Sequence, residues 1–217
     1  MKKFKLTSEF IVDISGVKLF RIKALIEFGN VKAGDLGGYI EKEKNLSHMG
    51  NAWVSGNAQV FGNARVFGNA WVSGDAQVFG NAWVSGNAQV SGNAWVFGDA
   101  QVFGNAQVFG NARVFGNARV SGDAQVSGNA WVFGDAQVFG DARVSGDKDY
   151  AYAHGFGSCN RTTTFFRLKD GDVGVRCGCF YGTLAQFRDN VCETHGETKK
   201  AQEYLMLADL MDFRFKN

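Results

Sequence analysis

The sequence predicts a mainly β protein. A three-sided parallel β-solenoid occupies residues 50–146, a β cap residues 1–49, and a small α+β module residues 147–217. Three observations carry this. Sixteen copies of a six-residue unit run without a break from Gly50 to Ser145, each reading Gly, Asn or Asp, Ala, a variable residue, Val, then Phe or Ser. The variable residue is only ever Trp, Gln or Arg. The chain contains no Pro, which suits uninterrupted parallel strands.

A period this short means that each unit buries its apolar face only against its neighbours. Alternation of period two puts Ala and Val on one side of the chain and the variable residue and Phe/Ser on the other. Ala and Val are small enough to fill a narrow tube, so they face inward. Gly followed by Asn or Asp makes the corner, because these residues tolerate turn conformations. The expected unit is a four-residue strand and a two-residue turn. Three units close one triangular coil, and the next coil stacks on it through parallel-strand hydrogen bonds. At about 4.8 Å per coil the prism is roughly 25 Å long.

With an aliphatic residue followed four places later by a small one, as in Val54 and Ala58 or Val66 and Ala70, the repeat resembles that of the hexapeptide-repeat proteins. That resemblance implies a left-handed parallel β-helix; periodicity alone leaves a right-handed solenoid open, since the usual crossover is right-handed. Before the repeats, Val31-Lys32-Ala33-Gly34, Gly37-Gly38-Tyr39-Ile40 and Leu46-Ser47 lead into Gly50 and Trp53-Val54. This stretch resembles the N-terminal cap of YdcK-type β-solenoid proteins, a bacterial family with related chains in prophages. The resemblance implies a cap over the open end of the tube, which a solenoid needs against edge pairing.

Units three apart share a wall. One wall carries Phe61, Phe79, Phe97, Phe115 and Phe133 with no Ser. A second carries Ser55, Ser73, Ser91, Phe109, Ser127 and Ser145, and the third alternates Phe67, Ser85, Phe103, Ser121 and Phe139. The first is thus an outward aromatic ladder flanked by Trp95 and Trp131, and an exposed apolar strip of that size marks an interface. The expected partner is another copy, in a parallel trimer first of all. Tandem duplication that distributed Phe and Ser by chance, with the rings merely stabilising the prism, is the alternative.

The end modules read differently. Ile11–Ile14 and Val17–Ile22 flank Ser15-Gly16 as a β-hairpin. Thr162–Leu168 and Val173–Phe180 read as strands about the Lys169–Asp172 turn. Thr183 caps a helix from Leu184 to about Thr194 that Gly196 stops, and a last helix runs from about Lys199 to Phe213 with Ala201, Tyr204, Leu205, Ala208 and Met211 on one stripe. The module either caps the final coil or projects and binds a partner. Cys177 and Cys179 alternate along the expected strand, and Cys192 and His195 share a helix face. Four such soft donors could hold zinc, the one cofactor the sequence suggests; packed thiols of an intracellular domain are the alternative.

The remaining composition excludes more than it selects. The chain has 217 residues and a net charge of +2, and Arg65, Arg113, Arg119 and Arg143 are offset by five corner Asp, so no nucleic-acid stripe is expected. No apolar run reaches membrane-spanning length. The start, Met1 to Ser8, lacks a signal-peptide core, so a cytoplasmic protein with reduced thiols is expected. The Gly34–Gly38 loop lacks the Lys-Ser/Thr ending of a phosphate loop.

A non-enzymatic scaffold or interaction protein follows, with an unidentified protein or glycan partner. An acyltransferase is the alternative on this type of fold, but its usual His base is missing from the coils; only His48, His154 and His195 exist, all outside them. The same lack of His counts against a three-His zinc hydratase, and the lack of Thr arrays against ice binding. Glycan binding along Trp53, Trp71, Gln89, Gln107 and Gln125 is a further alternative.

Overall fold

The computed structural model describes residues 2–13, 15–156 and 161–216. Strands β1 (Phe4–Val12) and β2 (Lys18–Ala24) form an antiparallel hairpin, and β3 (Leu36–Ile40) adds to its side. Among the described residues, sixteen two-residue strands follow, from β4 (Trp53–Val54) to β19 (Arg143–Val144). They stack in parallel as three walls, and units three apart share a wall. The Phe-bearing first wall continues through β3 into the hairpin, because Tyr39 and Ile40 pair with Gln59 and Val60.

The core is what the repeat dictates. The Ala and Val of the units are buried to 1% exposure or less, so small aliphatic side chains fill the tube. Where a coil follows, a unit sends it up to three N–H groups: Asn57 to the Gly74 carbonyl (2.9 Å), Gln59 to Ala76 (2.9 Å) and Phe61 to Val78 (3.1 Å). The regular strand is two residues long, not four, since the chain turns at the Gly of every unit. Gly92, with φ +67°, is representative: a Cβ there would stand 3.0 Å from the backbone nitrogen of Gly110 one coil on. The corner amides add their own ladders. Asn63 Nδ2 donates to Asn81 Oδ1 at 3.2 Å and Asn81 to Asp99 at 2.9 Å. Donation always runs toward the C-terminal coil, so Asp fits where a ladder needs only an acceptor.

This polarity leaves carbonyls unpaired at one end of the prism and N–H groups at the other, and the caps have matching chemistry. At the N-terminal end the free carbonyls meet donors. The N–H groups of Tyr39, Glu41 and Ser47 reach the Ala58, Val60 and Val66 carbonyls. Buried Asn45 gives its amide to Gly62 and Ala64, and buried Lys3 gives its ammonium to Gly50 and Ala52. At the C-terminal end the free N–H groups meet acceptors. Asp147 Oδ1 takes the Trp131 N–H at 3.0 Å, Asp149 Oδ2 those of Ser145 (2.9 Å) and Gly146 (3.1 Å), and Thr164 Oγ1 that of Gln137 (2.9 Å). Each cap thus satisfies backbone groups that burial would otherwise penalise.

Titration follows these environments. Burial pushes the Lys3 ammonium down to about 8 and the Tyr150 phenol up. Burial alone would raise the Asp149 carboxyl, but the Ser145 hydroxyl, the Ser145 and Gly146 N–H groups and nearby Arg167 hold it below its ordinary value.

The C-terminal module is a four-stranded antiparallel sheet, β20 (Tyr150–Phe156), β21 (Arg161–Arg167), β22 (Val173–Cys177) and β23 (Phe180–Thr183), followed by helices α1 (Leu184–His195) and α2 (Lys199–Lys216). The sheet sits across the last coil and does not project: Phe166 joins the core of the prism, while Phe165, Val173 and Val175 pack against Phe187, Val191, Ala208 and Met211 of the helices. Thr183 Oγ1 accepts the Gln186 N–H at 3.3 Å, and Gly196, with φ +58°, ends α1.

Three elements differ from the sequence reading. Strand β1 begins at Phe4, because a bulge between Leu6 and Phe10 interrupts the alternation that marks a strand; Ile14 lies outside the described residues. The sequence reading places no strand over Tyr150–Phe156, which forms β20. The strand expected over Val173–Phe180 is two strands, because the chain reverses at Gly178 (φ +59°).

Candidate functional site

The first wall is the most organised surface of the molecule. Phe61, Phe79, Phe97, Phe115 and Phe133 stack as one column, with successive ring centroids 5.0, 4.9, 4.9 and 5.3 Å apart and planes within 12° of parallel. Coil spacing sets that separation, since each ring stands one coil above the next. Beside it runs a second column, in which the Arg113 guanidinium lies between two indoles, 4.7 Å from Trp95 and 4.9 Å from Trp131. The columns interlock edge to face, Trp95 on Phe79 (6.2 Å) and Trp131 on Phe115 (6.3 Å). The first four Phe are half-buried by their neighbours, whereas Phe133 and Trp131 are 37% and 43% exposed. At the far end Tyr150 and Tyr152 meet Phe133 edge-on at 6.5 and 5.8 Å. The aromatic strip is therefore continuous from the prism into the C-terminal sheet.

The repeats in this prism match a known family model, the YdcK beta solenoid repeat, over residues 58–74, 76–92, 88–104, 106–122 and 124–138. The coils between residues 58 and 138 are thus similar to the YdcK repeat. A comparison with curated proteins gives no significant match. Each matched segment is about as long as one full turn of the tube. The coils supply geometry: outward positions recur on each wall at the coil spacing, and a side chain's wall is set by its place in the count of units.

The second wall of the prism is unlike the sequence reading at its start. Trp53 is only 2% exposed. It lies edge-on to Phe28 at 5.4 Å and against Gly37, where a Cβ would fall 2.7 Å from the indole. It is a core residue of the cap, so a glycan ladder beginning at Trp53 and Trp71 loses its first rung. Farther along, Gln125 Nε2 donates to Gln107 Oε1 at 3.2 Å.

The expected zinc ligands are not brought together. Cys177 ends β22, where its sulfur accepts a hydrogen bond from Thr163 Oγ1 at 3.2 Å. Cys179 lies in the following reversal, so the two thiols do not share a strand face as expected. His195 stacks on the Tyr204 ring at 5.9 Å. A cleft of about 400 Å³ touches Cys177, Cys179 and His195 but not Cys192, which is exposed on α1. Among the described residues no three His, Cys, Asp or Glu side chains are grouped as a metal site.

The three histidines all lie off the coil walls. His48 stacks on Phe4, its Nδ1 accepts the Lys3 N–H at 3.2 Å, and its Nε2 faces the Glu43 carboxylate at 3.7 Å. Both ring nitrogens are directed into the cap. His154 Nδ1 is 2.9 Å from Thr162 Oγ1 on an exposed strand. Among the described residues no helix is long and apolar enough to cross a membrane.

The functional residues that sequence reasoning missed are those that close the ends. Lys3 carries no pattern that separates it from Lys2 or Lys5. Asp147 carries a faint signal, since it fills the corner slot of a seventeenth unit whose Ala position is Lys148.

Proposed function

We propose that this protein is a non-enzymatic scaffold that self-associates through its first wall, as a parallel trimer, in the cytoplasm of a bacterium or as a prophage product. The observation that carries the reading is the unbroken Phe61–Phe133 column with the Trp95–Arg113–Trp131 column beside it. A flat apolar strip repeating at the coil spacing is complementary to the same strip on a second copy, and a parallel arrangement keeps all caps at matching ends. Directing both His48 nitrogens into the cap supports a non-enzymatic role, because it leaves the acyltransferase alternative without a base there. The free thiols of Cys177, Cys179 and Cys192 suit a reducing compartment.

Sedimentation velocity over a range of concentrations tests the proposal. A trimer that dissociates on Phe97→Ser supports it. A monomeric wild-type chain at tens of micromolar, or an oligomer indifferent to Phe97→Ser, overturns it.

A further inference from the structure

At the N-terminal end of the third wall, the loop from Lys42 to His48 overhangs the first coil and leaves an open groove of about 990 Å³. Its wall is aromatic: Phe67 and Trp83 meet edge to face at 6.1 Å, and Trp83 is 45% exposed. Its rim carries Lys42, Lys44, Arg65 and Asn63. The nearby carboxylates are already engaged, Glu43 by Lys2 at 2.8 Å, and Glu41 by Lys42 at 3.4 Å and the Gly62 N–H at 2.6 Å. Arg65 and Lys44 have no carboxylate within ion-pair distance among the described residues.

We infer that this groove binds an acidic oligosaccharide, a short chain of sugars bearing carboxylates. An exposed indole offers a flat apolar face on which the C–H face of a sugar ring can stack. A planar guanidinium beside it matches a carboxylate through two parallel hydrogen bonds. A phosphate ligand fits less well, because it wants a nest of free backbone N–H groups. Here most of the groove's N–H groups are engaged within the protein, those of Lys42, Asn45, Leu46, Ser47, Gly62 and Asn63 among them. The ligand is extended because the wall continues in register from Trp83 to Gln101 and then to exposed Arg119, which repeats the cation two coils beyond the indole. The groove lies on a different wall from the Phe column, so it does not depend on self-association.

Calorimetric titration of the full chain with a galacturonate trisaccharide, a neutral galactose trisaccharide and inorganic phosphate tests the inference. The acidic trisaccharide is expected to bind at least tenfold more tightly than the other two. Trp83→Ala and Arg65→Gln, both at exposed positions, should each weaken it about tenfold with the melting midpoint unchanged, while Phe97→Ser leaves it unaltered whatever that variant does to the oligomer. No heat from the acidic sugar at millimolar concentration, equal binding of the neutral sugar, tighter binding of phosphate, or indifference to both groove variants overturns it.

Discussion

Lys3 Nζ lies 2.7 Å from the carbonyl oxygen of Ala52, so one buried ammonium closes the backbone edge of the first coil on the second wall. It reaches the Gly50 carbonyl as well, at 3.2 Å, and stands 4.7 Å over the Phe28 ring. Replacing it by Met keeps the stem and removes the donors. Lys3→Met should lower stability by about 1–3 kcal/mol, the cost of leaving buried acceptors unpaired, read as a shift in the urea midpoint.

The same residue predicts a pH dependence. The Lys3 ammonium is pushed from its ordinary value of 10.5 down to about 8 in the fold, so between these values the unfolded chain binds more protons than the folded one. The stability it contributes therefore rises as pH increases from about 8 toward 10.5, and is level below about 8. The wild type should gain over Lys3→Met between pH 8 and 10 in parallel denaturation curves. A difference that is flat or shrinks across that range contradicts the assignment.

Asp149 makes a prediction of the same sign at the other end, in the acid range. Its carboxyl is held below its ordinary value, so its contribution is present above the unfolded value and is lost as pH falls through the folded one. Asp149→Ala leaves the Ser145 and Gly146 N–H groups without their acceptor and should cost about 2 kcal/mol at pH 7. The gap between wild type and variant should narrow toward pH 2 in acid titrations followed by circular dichroism.

Close stacking at the corners makes Gly92 intolerant of a side chain. Gly92→Ala places a Cβ 3.0 Å from the Gly110 nitrogen at φ +67°, and the strain should lower stability by about 1–3 kcal/mol. Asn93→Ala one residue later removes only an exposed amide bond to Asn111 and should cost well under 1 kcal/mol. Thermal melts of the pair test the difference.

Deletions separate the fold from the Phe column. Removing residues 86–103 takes out one whole coil and leaves every later unit on its own wall. Removing only residues 92–97 moves each later unit by one wall, so that Phe103, Ser121 and Phe139 follow Phe79. Both chains should melt cooperatively, because the Ala and Val core is the same in every unit. Only the first should retain the wild-type oligomer by light scattering.

Much of this was legible in the residues themselves, and unevenly so. Ala and Val facing inward, and five Phe on one wall, follow from a strict count of six, because each coil sees only its neighbours. The Thr183 cap and the Gly196 stop were legible for the same reason, being local. The Cys177–Cys179 pair was misread because Gly178 permits a reversal that alternation cannot signal. Trp53 was misread because its unit is like any other until the cap folds over it.

By itself, then, the sequence determined the tube, its three walls and which side chains share each wall, since these depend on contacts one coil apart. Only the tertiary structure decided how the ends close. A parallel stack has carbonyls free at one face and N–H groups free at the other, and residues as distant as Lys3 and Ala52, or Thr164 and Gln137, meet there only once the chain has folded. The groove between Lys44 and Trp83 arises in the same way, from a cap loop laid over a repeat that carries no mark of it.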